Sequence, residues 1–135
     1  MKEQHEHNLV LILARGLASS IATPMFLVDP EGTLVYYNEP AEAIFGESYA
    51  EAGELSPDEW GTRFSPEDPN TGEQLGAQAL PLSVALAEKK PDHRLLTITG
   101  RDGKRRMIAV TAFPLFARTN EFVGGVAIFW EAGEA

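Results

Sequence analysis

The chain contains no cysteine. That excludes a disulfide, a thiolate metal site, a cysteine nucleophile and a cysteinyl chromophore adduct. Long hydrophobic runs are also missing. The most apolar stretch near the N-terminus, Leu9 to Ala14, is ended by Arg15, far short of the roughly 20 residues a membrane helix needs. The MKEQHEHN before it lacks the positive n-region of a signal peptide, so a soluble, cytoplasmic chain with no membrane span is expected. His5 and His7 lie two residues apart, which does not put them on one helix face, and no metal site is assigned to them.

Positive charge is scarce. Eleven Lys and Arg against 20 Asp and Glu leave a formal net charge of −9, which disfavours nucleic acid or an anionic membrane as a general partner. The basic residues are concentrated. Residues 89 to 106 hold seven of them against two acidic ones, leaving −14 for the rest of the chain. A solvated hairpin rim and an anion-binding patch both fit that run, and the rim is favoured. The carboxylates Asp29, Glu31, Glu39, Glu42 and Glu47 read as a solubility surface. No Ser, His and Asp arrangement supports nucleophilic catalysis, and the glycines at 72, 76, 100 and 103 punctuate turns without forming a phosphate-cradling loop. The chain is therefore read as a non-enzyme.

What is present suffices for one core. The chain has 135 residues, 44% of them hydrophobic, the size of a single domain. We divide it into an N-terminal helix over 1–23, a main domain over 24–132 and a tail over 133–135. The clearest local signal is MFLVDPEGTLVYYN, Met25 to Asn38. Two short apolar and aromatic strands flank Asp29-Pro30-Glu31-Gly32, and Asn38 followed by Glu39-Pro40 caps a helix.

Before this hairpin, residues 3 to 21 show a helical period in Leu9, Ile12, Leu13, Leu17 and Ile21. Val10, Leu11 and Ala14 widen the apolar stripe beyond one packing surface. Either the helix is buried on two sides or it meets a second chain, and the second is favoured, making Leu9, Ile12, Leu13 and Leu17 candidate homodimer-interface residues. After the hairpin come a short helix from Pro40 to Phe45 ended by Gly46, then an irregular stretch from Glu47 to Gly76 anchored by Tyr49, Leu55, Trp60 and Phe64. A helix over Gln78 to Lys89 follows. The period then changes to two, giving strands over 94–99 and 104–115 joined by Gly100-Arg101-Asp102-Gly103, and a last strand over 122–130. Those strands are apolar on both faces, so both faces are expected to be covered. The helices after the hairpin suit one side and the N-terminal helix the other.

Four segments in this order and spacing resemble the PAS domain family: FLVDPEGTLVYYN at 26–38, AEAIFG at 41–46, LPLSVAL at 80–86, and GRDGKRRMIAVTAFPL at 100–115 with FVGGVAIFW at 122–130. The resemblance implies an α+β fold, a five-stranded antiparallel sheet of order 2-1-5-4-3 with short helices on one face. It also implies a non-catalytic sensory and dimerisation module of signal transduction, working with a kinase (as in two-component systems), a cyclic-nucleotide enzyme or a transcription regulator. Trp130-Glu131-Ala132 weakly echoes the acidic motif through which the family's signal leaves.

Among the family's cofactors, covalent flavin and cinnamate chemistry need the absent cysteine. Haem is disfavoured because Gln78 to Lys89 holds no histidine and His93 begins a strand. The cofactor stays unknown. A non-covalent small-molecule site between the sheet and the longer helix would use Phe26, Phe45, Trp60, Leu82, Leu86, Ile98 and Ile128. Tyr36, Thr97 or Thr111 would supply its polar contacts. The same apolar residues also fit a filled core, and a ligand-free protein–protein interaction scaffold is the alternative function.

Overall fold

The two-residue period that begins at Met25 is realised as a hairpin. β1 (Met25–Val28) and β2 (Leu34–Tyr37) pair antiparallel, with a register irregularity between Leu27 and Val28. Asp29 builds the turn: its carboxylate accepts from the amides of Glu31 and Thr33 at 2.9 and 3.0 Å, and Gly32 takes φ +89, the region glycine enters without steric cost. This computed structural model of the chain describes residues 11–117 and 120–132. Leu9 and the tail lie outside them.

Five strands form one antiparallel sheet. β3 (Asp92–Thr99), β4 (Arg105–Phe116) and β5 (Phe122–Glu131) complete it, in the order β2-β1-β5-β4-β3. The N-terminal helix, α1, is helical over residues 11–18 in the described part. It stops earlier than the apolar period suggested, because Ser19 and Ser20 turn the chain with their hydroxyls on the Gly16 carbonyl. Side-chain bonding to a neighbouring carbonyl offers the backbone an alternative to helix.

Between β2 and β3 the chain makes α2 (Glu39–Phe45), α3 (Tyr49–Ala52), α4 (Pro57–Arg63), a 3₁₀ turn (Ala77–Ala79) and α5 (Pro81–Glu88). The stretch after Glu47 contains more helix than its glycines and prolines suggested. Ser48 with Glu51 and Ser56 with Glu59 each form a reciprocal capping box, and two satisfied amides at each start support helices only one or two turns long. Pro81 opens α5 at a position where no amide is needed.

Strand parity separates two clusters. Phe26, Val28, Leu96, Ile98, Ile108, Val110, Ala112, Ala127 and Phe129 face α2, α4 and α5. Met25, Leu27 and Val126 face the other way and receive Ala18 of α1, with Ala14 and Ile21 packed alongside. α1 therefore covers the β1–β5 part of the outer face. Leu95 and Trp130, about half exposed, remain outside that cover.

The basic run serves the fold. Arg106 donates to the Ile44 carbonyl at 2.8 Å and the Arg101 amide donates to that of Phe45 at 2.7 Å, supplying donors where the carbonyls at the end of α2 have no helical partner. Arg94 pairs with Asp68, Arg105 with Glu67, and Arg106 with Asp102 and Glu131. Three of the run's seven basic side chains, Arg94, Arg105 and Arg106, are thus engaged inside the chain.

Candidate functional site

The inner cluster is not completely filled. A cavity of about 80 Å³ lies between the sheet and the helices, and Phe26, Phe45, Trp60, Leu82 and Ile98 line it. Leu86 is partly buried beside this core and does not line the cavity. Tyr36, Thr111 and Ile128 are on the opposite face, and so is Thr97, which lies between the cavity-lining Leu96 and Ile98. The correction has one cause. Successive strand residues point to opposite sides, and registering β5 by Ile128 chose the outer row, whereas Ala127 and Phe129 are the inner pair. In the same way β4 presents Ile108 and Val110 to the cavity, and β2 buries Tyr37 against Phe26 and Phe45 while Tyr36 faces α1. Phe64, Leu80, Leu96 and Phe129 also form the wall and were missed. Alternation counted from Ile98 would have found Leu96, since both lie on one strand face.

The rings form a connected set. Phe45 is its hub, stacked on Phe64 at 4.3 Å and Phe129 at 5.1 Å and edge-on to Tyr37 at 5.0 Å. Offset and edge-on rings at such separations attract beyond the area they bury. The set continues around the open edge of the sheet: Tyr49 sits 5.6 Å from both Tyr37 and Tyr36, and the Arg15 guanidinium of α1 lies 4.6 Å from the Tyr36 ring centroid. Residues walling the cavity are thus joined by ring contacts to the helix on the far face.

A second tie is polar. Asn38, fully buried, accepts from the amides of Met25 (2.9 Å) and Ala41 (3.2 Å) and donates to the carbonyls of Ala18 (2.9 Å) and Thr23 (2.8 Å). One side chain therefore joins the end of α1, the start of β1 and the start of α2.

The charged groups nearest the cavity wall are engaged. Arg63 grips Glu47 with two hydrogen bonds, of 2.8 and 2.7 Å, the forked geometry that suits guanidinium and carboxylate. The Arg63 hydrogen bond holds the Glu47 carboxyl below its ordinary value near 4.5. Burial, then the charges of Glu47 and Glu42, push the Tyr37 phenol well above its ordinary range, so it stays neutral and donates to the Glu47 carbonyl at 2.8 Å. Because the folded Glu47 titrates below the unfolded one, its contribution is present above the ordinary carboxylate range and is lost as pH falls through the depressed value. Glu47→Gln is accordingly expected to lower the thermal midpoint at pH 7, with the gap to wild type closing on acidification. Thermal unfolding of both proteins across pH 3 to 7 checks this.

His93 is exposed on the outer face, its Nδ1 3.0 Å from the Thr111 hydroxyl. The cavity wall holds no histidine or methionine, so it offers haem no axial ligand of those types. No group of three potential metal ligands occurs among the described residues.

A profile of the PAS domain family matches residues 22–131. The chain belongs to the PAS domain family. Solved PAS structures share its fold at low identity. The PAS domain of BvgS from Bordetella pertussis superposes with a TM-score of 0.61 at 16% identity, covering 92% of this chain and 86% of that one. A PAS domain of an HTR-like protein from Haloarcula marismortui gives 0.60 at 15%, covering 96% and 98%. The LOV protein of Rhodobacter sphaeroides gives 0.67 at 17%, covering 98% of this chain and 69% of that one. No curated protein matches significantly. This PAS domain, then, is of a kind found in sensory and signalling proteins, and among its described residues no helix is long and apolar enough to cross a membrane.

Proposed function

We propose that this PAS domain is a cytoplasmic sensory and homodimerisation module of a signal-transduction protein. It binds a small molecule non-covalently in the interior cavity and passes the change to an effector such as a kinase, a cyclic-nucleotide enzyme or a transcription regulator. It performs no catalysis itself. The observation that carries the reading is the placement of an aromatic-walled cavity on one sheet face and an apolar helix stripe on the other, tied together through Asn38 and the Tyr36–Tyr49–Tyr37 contacts.

Dimerisation is supported by Ile12, Leu13 and Leu17, each more than half exposed on α1. Leu9 continues that stripe in the sequence. Apolar side chains clustered on a helix whose other face is already packed favour a second copy as the occupant. Deleting residues 1–20 is expected to convert a dimer to a monomer in sedimentation velocity, and an unchanged mass would remove dimerisation through this helix. Native mass spectrometry of the purified chain tests the sensing part, since a retained small molecule supports it. The ligand-free scaffold is favoured by a separate observation, the exposed Leu95 and Trp130 on the part of the outer face that α1 leaves uncovered. A tight heteromeric complex lost in Trp130→Glu, with no ligand retained, would support that reading instead.

A further inference from the structure

The cavity wall is hydrocarbon throughout. Five rings, those of Phe26, Phe45, Trp60, Phe64 and Phe129, meet aliphatic and proline side chains, and no residue of the wall carries a hydroxyl, amide, carboxylate or amine side chain. The polar groups closest in sequence to the wall point elsewhere. The Trp60 indole N–H donates to the Gly32 carbonyl at 2.7 Å, and the neighbouring Arg63 and Glu47 satisfy each other. The Tyr37 hydroxyl is committed to the Glu47 carbonyl, and Thr97 sits on the far side of β3 from Leu96 and Ile98. Strand backbone groups along the wall are used by the ladders β1–β5, β3–β4 and β4–β5.

A ligand entering such a space exchanges water for carbon at every polar atom it carries, and an unpartnered buried polar or charged group is strongly disfavoured. An apolar ligand loses nothing on that account and gains the contacts an empty space denies its lining. Size adds a second limit. The cavity measures about 80 Å³, whereas apolar engineered cavities of about 150 Å³ stay dry and take up benzene or xenon.

The flavin of the family's light-sensing branch does not fit. Its three fused rings exceed the space, and its pyrimidine edge would find no donor or acceptor side chain on this wall. From these two limits we infer that the cavity selects a compact, uncharged, apolar molecule smaller than a benzene ring, and excludes carboxylates, phosphates, flavin and haem. The inference rests on the sensory reading above and names its ligand class.

The test uses the full chain and known probes. Thermal unfolding and the emission of Trp60, isolated in a Trp130→Phe background, are followed with benzene, xenon pressure, benzoate and flavin mononucleotide. Xenon is expected to raise the thermal midpoint and alter Trp60 emission, while benzene, benzoate and flavin mononucleotide do neither. Val110→Phe, which fills the cavity from β4, is expected to weaken xenon binding at least tenfold. Ala127→Val serves as the milder filling variant if Val110→Phe does not fold. A benzene, benzoate or flavin effect that the filling variant abolishes would overturn this ligand class and leave the sensory reading standing. Failure of every probe to produce an effect sensitive to cavity filling would overturn both.

Discussion

Asn38→Ala is expected to destabilise the domain by about 3–4 kcal/mol and to loosen α1 selectively. The side chain is wholly buried and makes four hydrogen bonds, two as acceptor and two as donor. Truncation removes the cap of α2, worth about 1 kcal/mol. It also strands the buried Met25 amide, which costs about 1 kcal/mol or more, and removes the bonds to the Ala18 and Thr23 carbonyls, each worth about 0.5–1.5 kcal/mol. A domain of ordinary stability, about 5–15 kcal/mol, stays folded after that loss. Urea denaturation measures the total, and hydrogen exchange across residues 11–18 measures the release of the helix.

Asn38→Asp separates the two roles. A carboxylate still accepts from Met25 and Ala41 but faces the Ala18 and Thr23 carbonyls without a donor, so α1 is expected to exchange faster although α2 keeps its cap. If α1 protection were unchanged in both variants, Asn38 would not be what holds the helix to the sheet. That result would also weaken the link between cavity and dimer face.

Phe45→Ala is expected to cost about 3–5 kcal/mol, the range for deleting a buried aromatic ring. Phe45 is 5% exposed and its ring meets those of Phe26, Tyr37, Phe64 and Phe129, so the truncation loses transfer free energy and leaves a space that packed neighbours refill only in part. Because Phe45 lines the cavity, the lost ring volume joins it. The variant should therefore bind benzene, a ring that the native cavity is too small to admit, and benzene should recover part of the lost stability by mass action. Urea denaturation with and without the probe checks both results. A cost below about 1 kcal/mol would mean that the site collapses on truncation, and no benzene binding would then follow.

Local chemistry was legible wherever one short segment carries the whole signal. Asp29 to Gly32 is a turn whether or not the rest of the chain exists, since the Asp29 carboxylate and the Gly32 conformation act within five residues. Asn38 was legible as a helix cap for the same reason. Its bonds to Ala18 and Thr23 were not, because they depend on where α1 comes to lie. The capping boxes at Ser48 and Ser56 were also local and could have been read from the Ser-x-x-Glu spacing. The density of glycine and proline around them masked that pattern.

The cavity was half legible. Phe26, Phe45, Trp60, Leu82 and Ile98 were found because bulky apolar residues on elements meant to face one another converge. Tyr36, Thr111 and Ile128 were misplaced because doubly apolar strands remove the polar marker that tells the inside row from the outside row.

The sequence by itself determined the hairpin, the cap, the five strands, the apolar stripe of α1 and, through four ordered segments, the PAS fold. The hairpin, the cap, the strands and the stripe follow from periodicity and from side chains acting on their own backbone, and the fold from the resemblance those segments carry. Only the tertiary structure decided which row of each strand faces the helices, that Arg94, Arg105 and Arg106 of the basic run are internally paired, and that the aromatic wall leaves a small space with no hydroxyl, amide or charged side chain turned into it. Those properties arise from register between strands far apart in the chain and from packing around a shared core. A single residue's neighbours in sequence do not contain that information.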